Sequence, residues 1–109
     1  MKVTYYRDSE PIEEVQGVSR REVITADDGA PHFCMRVFEV APGSSTPSHS
    51  HAWEHEIYVL EGQGKAVSEQ EETPVSKDSV IFIPPNEHHC IVNNGSEILK
   101  IICVIPLVD

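Results

Sequence analysis

Short β-prone runs recur about every ten residues along this chain, and turn residues close them at Asp28-Gly29, Gly62-Gln-Gly64, Lys77-Asp78, Pro84-Pro-Asn86 and Asn94-Gly95. No segment of helical period and length competes with that rhythm, which predicts an all-β antiparallel sandwich or barrel. Residues 57–60 form a strong β run, 80–83 read as a buried strand, and 89–92 read as the strand that returns after the proline turn. The acidic run 69–72 reads as a solvated turn between strands at 65–67 and 73–75. Asn94-Gly95 is the best single hairpin signal and predicts a type I′ turn joining 89–92 to 98–104. Residues 10–15 have room for one helical turn. At 109 residues with 39% apolar content, one domain over residues 1–109 is expected.

Four of the six histidines fall where that fold brings side chains together. In extended chain, His49 and His51 project from one face, about 6.5–7 Å apart, and a bend brings both onto one ion. His55 sits where the next strand begins, and His89 opens the strand after the proline turn. Neutral imidazole ligates zinc, copper, iron and nickel and is accepted by manganese. His49, His51, His55 and His89 are therefore the candidate ligands of one divalent transition ion. Glu54 and Glu56 are the competing donors should the strand shift by one residue, but Glu56 would then lie on the face opposite His55, and both read as groups around the ligands or in solvent. His32 and His88 read as ordinary surface or core residues, His88 pointing away from the face of His89.

These residues carry a family resemblance. Gly43-x5-His49-x-His51-x3-His55-x6-Gly62 resembles the first cupin motif, and Asp78-x5-Pro84-x-Asn86-x2-His89-x3-Asn93 resembles the second, so metal-binding motifs are expected at 43–62 and 78–93. The match covers about half the chain and implies a double-sheet jelly-roll β-barrel holding a metal. His55 stands where the usual cupin has a glutamate. The core His49-Ser-His-Ala-Trp-Glu-His-Glu56 resembles the small bacterial cupins with four-histidine manganese sites. That resemblance implies manganese or iron, although affinity alone favours zinc, nickel or copper. Asp78 and Asn86 replace family glycines. Asn tolerates positive φ at a turn, and Asp78 is expected merely to start a strand. Small cupins form homodimers, and here residues 3–6 and 23–25 and an outer face carrying Tyr58 and Leu60 are the expected contacts.

The last strand predicts the cavity wall. Lys100 marks its outward parity, so Leu99, Ile101, Cys103 and Ile105 face inward, with Ile101 and Cys103 beside the metal. By the same alternation His89 shares a face with Ile91, and His55 with Ile57 and Val59. The walls are apolar, which favours a small, largely apolar or chelating organic ligand.

A net charge of −10 without clustered basic residues excludes nucleic acid and anionic membrane as partners. Arg20-Arg21, flanked by Glu13, Glu14 and Glu22, reads as a solvated edge strand. Cys34, Cys90 and Cys103 are odd in number and lack CxxC spacing, so reduced thiols and a cytoplasmic protein are expected. No apolar run is long enough to span a bilayer. The resemblance to cupin dioxygenases implies an oxidoreductase using dioxygen or peroxide. The alternatives are a non-catalytic ligand-binding or structural metal cupin and a metal-dependent isomerase. Four neutral ligands leave the ion's full charge uncompensated and make it a stronger Lewis acid.

Overall fold

In the computed structural model, which describes residues 1–107, the chain is a double-sheet antiparallel β-barrel. Strands β1 (Ile12–Val15), β2 (Val18–Ile24), β3 (Phe33–Val40), β4 (His55–Glu61), β7 (Val80–Ile83) and β9 (Leu99–Pro106) build one sheet, in the order β1-β2-β3-β9-β4-β7. Strands β5 (Gln63–Ser68), β6 (Glu72–Ser76) and β8 (His89–Val92) build the second, in the order β6-β5-β8. Residues 43–49 run along the free edge of β8, bridged to it at Ser45–Val92 and His49–His89. Val40, Val59 and Leu99 are fully enclosed between the sheets, joined by Val18, Phe38, Ile57, Ile91, Ile101 and Cys103.

Alternation in β9 follows Lys100 as expected. Leu99, Ile101 and Cys103 are buried while Lys100 and Ile102 are only partly covered. The register Arg36–Cys103, Phe38–Ile101 and Val40–Leu99 then fixes which side chains of β3 point inward.

Five local expectations are corrected. Residues 12–15 are an edge strand, not a helical turn, because pairing with β2 satisfies their backbone. That pairing also places Arg20 and Arg21 in an interior strand, bonded on both sides to β1 and β3. Asn94-Gly95 closes no hairpin: β8 and β9 lie in different sheets, and neither residue has the positive φ that a type I′ turn needs. The fully buried Asn93 directs this crossing instead. Its Nδ2 donates to the carbonyls of Val40 (2.8 Å) and Glu97 (2.7 Å), and its Oδ1 accepts from the Gly95 N–H (2.9 Å). The strand at 80–83 pairs only with β4 and leaves Val80 and Phe82 exposed, since an apolar run cannot by itself report which face is covered. Asp78 does more than start a strand. It holds φ 74°, as Asn86 holds φ 69°, so both keep the left-handed conformation of the glycines they replace.

Candidate functional site

The four histidines come together at one end of the barrel. His49 and His89 face each other across a two-way backbone bridge (3.1 and 2.9 Å). His51 is not part of a regular strand, yet its carbonyl accepts the Asn86 N–H at 2.6 Å, which ties it to the left-handed turn before β8. Ring nitrogens of His49, His51 and His89 lie within 4.8 Å of one another, close enough to share a metal ion. His55, the first residue of β4, stands beside that trio with its ring centroid 4.6 Å from His51 and 5.0 Å from His89. Its Nε2 lies 2.9 Å from His51 Nδ1, so one of those two nitrogens carries the proton and donates it to the other.

Partners outside the cluster orient the rings. The Glu87 carbonyl accepts from His89 Nδ1–H at 2.9 Å, which leaves His89 Nε2 as a lone pair. His55 Nδ1 lies 3.0 Å from the Cys103 sulfur. Trp53 stacks on His51, its ring 4.6 Å away and 9° from parallel. Burial, then the neighbouring histidines and Arg36, hold His51 down to about 4 and His55 to about 3, and His49 shifts down as well, from burial first and then His89. A transition ion requires neutral imidazoles, so this donor set fits a metal that takes the place of the proton shared by His51 and His55. Burial also raises the Cys103 thiol, and the opposing effect of Arg36 is smaller.

A cavity of about 70 Å³ opens over the cluster. Ile57, Ile91, Ile101 and Cys103 line it with the four histidines, as β-strand parity predicts, and Phe38 joins them. Glu54 and Glu56 are exposed and point elsewhere, and His88 is exposed with its Nδ1 3.4 Å from Ser48 Oγ. The cavity also takes in Glu14 and Arg36, which sequence reasoning missed. Parity along β3 carried a signal for Arg36, which shares the inward face of Cys34, Phe38 and Val40. Glu14 gave none, because its place depends on how β1 folds over the barrel mouth. Its carboxylate is paired with the Arg20 guanidinium.

Comparison with known proteins agrees with this architecture. A cupin domain family model matches residues 36–105. An uncharacterized protein of Methanocaldococcus jannaschii is 43% identical over 65 residues, covering 59% of this chain and 52% of its own length. The oxalate-binding protein of Thermotoga maritima is 35% identical over 82 residues, 72% of this chain and 68% of that protein. The solved structure of the polyketide cyclase RemF from Streptomyces resistomycificus superposes with TM-score 0.88 at 36% identity, covering 97% of this chain and 79% of RemF. The chain belongs to the cupin family. Within it, the chain is similar to small barrels that bind or transform small molecules, and it spans about half the length of the M. jannaschii relative.

Proposed function

We propose that this cupin is a single-domain, metal-dependent enzyme acting on a small chelating organic molecule, with His49, His51, His55 and His89 holding one divalent transition ion, manganese or iron. The convergence of four imidazoles at the floor of an apolar-walled cavity carries this reading. When bound, the ion would supply Lewis acidity, undiminished because no carboxylate joins the ligand set. The chain's own residues do the rest. Glu87 and Cys103 fix the rings of His89 and His55, Trp53 holds the plane of His51, and Phe38, Ile57, Ile91 and Ile101 exclude water from the ligand.

Four neutral ligands and the similarity to a polyketide cyclase support redox-neutral chemistry, ring closure or isomerisation of an enolisable carbonyl compound. The water-excluding walls favour a second reading, the oxidoreductase that uses dioxygen or peroxide. Turnover of β-dicarbonyl test compounds under nitrogen supports the first. Turnover only with oxygen consumption supports the second. Ligand binding without turnover in either atmosphere returns the protein to the non-catalytic class. The exposed face of Tyr58, Val80 and Phe82 fits the homodimer contact expected of a small cupin, in a protein of the reducing cytoplasm.

A further inference from the structure

Arg36 is an inward-facing guanidinium in a chain of net charge −10, yet among the described residues it makes no salt bridge; of the other bases only the exposed Lys77 and Arg21, which donates to the Arg7 and Ser9 carbonyls, also lack one. Glu22 lies directly opposite it across β2 and β3, but the Glu22 carboxylate is turned to Arg20 at 3.6 Å. Of five N–H donors, the guanidinium uses one, from Nη2 to the weakly accepting Cys103 sulfur at 3.3 Å. Its Nε is buried without a partner, and the group rests over the Phe38 ring, 5.1 Å from the centroid. A single sulfur atom therefore separates an unneutralised cation from the ring of His55. Glu14, the one carboxylate lining the cavity among the described residues, is already matched by Arg20.

A partly desolvated cation without a counter-ion is costly unless something completes it. Here the missing partner is an acceptor-rich anion, and the cavity is where it would lie. We propose that Arg36 is a ligand-binding residue that anchors the carboxylate of a small organic acid, whose other end reaches the imidazole cluster. The apolar walls named above then cover the carbon skeleton between the two ends. This assigns the substrate class of the site as anionic and chelating, where the strand pattern and the resemblance had left it largely apolar or chelating. Only the far end of the ligand rests on the metal reading; the carboxylate end rests on Arg36 alone.

Isothermal titration with malonate, pyruvate and the neutral control malonamide tests this, on wild type, Arg36→Gln and Arg36→Lys, each both metal-loaded and chelator-treated. Wild type should bind malonate or pyruvate and not malonamide. Arg36→Gln should weaken acid binding about ten- to a hundredfold, the loss expected for a charge-assisted hydrogen bond, with metal content unchanged. Arg36→Lys should recover part of that affinity. Equal affinity for malonate and malonamide, equal affinity of wild type and Arg36→Gln in both forms, or no acid binding by wild type would each overturn the proposal. Should Arg36→Gln fail to fold, the acid-over-amide preference of chelator-treated wild type decides instead, because a bound ion would itself favour the carboxylate over the amide. A preserved affinity gap in protein that takes up no metal would instead overturn the metal reading and leave Arg36 standing.

Discussion

Replacing Asn93 with alanine tests the device that carries the chain from the small sheet to the large one. The side chain is fully buried and makes three hydrogen bonds, two as donor to the carbonyls of Val40 and Glu97 and one as acceptor from the Gly95 N–H. Alanine leaves all three backbone groups without that partner. The Val40 carbonyl lies in the buried core and bears the full desolvation cost, about 1–3 kcal/mol. The other two contacts are only partly buried, so water replaces them at a smaller loss. Together the change should cost about 2–4 kcal/mol, the larger part at Val40. For a domain of this size each kcal/mol moves the melting temperature by about 4–8 °C, so thermal unfolding should show a fall of roughly 10–25 °C. The loss should be paralleled by a lower urea midpoint at unchanged slope. A fall under about 4 °C would refute the idea that this residue, rather than the Asn94-Gly95 pair, directs the crossing.

Cys103→Ala removes the sulfur beside His55 Nδ1 and should weaken metal binding about 10–100-fold, as loss of a ring-orienting partner does, and it should also lower metal-free stability, because Cys103 is packed in the core and accepts from Arg36. Competition with a chelator dye measures the binding, and an unchanged affinity would separate Cys103 from the metal site. His51 and His55 have folded values of about 4 and 3, below the ordinary 6.5, so the unfolded chain takes up their protons first as the pH falls. Their contribution is thus complete above about pH 6.5 and lost on acidification through 4 toward 3; melting of chelator-treated protein should track that window, and a flat profile from pH 7 to 4.5 would contradict it. Gly62→Ala would force a side chain onto φ 89° and drive its Cβ into the Ile98 carbonyl oxygen. A loss of about 2–4 kcal/mol in chemical denaturation is expected, and a neutral result would contradict the close approach of the β4–β5 junction to the segment before β9.

Much of the barrel was legible because β strands convert parity into burial. One charged residue, Lys100, was enough to assign the inward set of β9, and the same alternation grouped His55 with Ile57 and Val59. The histidines were legible because their spacing matches both strand geometry and the cupin motifs. What parity could not supply was the relation between sheets. Asn94-Gly95 has the composition of a hairpin, but the hydrogen bonds of Asn93 and the crossing between sheets decide its conformation. Val80 and Phe82 look like core residues in a short apolar run, yet they stand on an uncovered face at the sheet edge. Glu14 reaches the cavity through sheet closure, which no local pattern encodes, whereas the parity of β3 already turned Arg36 inward.

The most direct test of the metal centre is elemental analysis of protein prepared without an affinity tag, beside the His89→Ala variant, with paramagnetic resonance of the bound ion. Wild type should hold close to one manganese or iron per chain, and the variant at least tenfold less. Wild-type protein that holds no transition metal, or a variant that holds as much as wild type, would contradict the four-histidine centre.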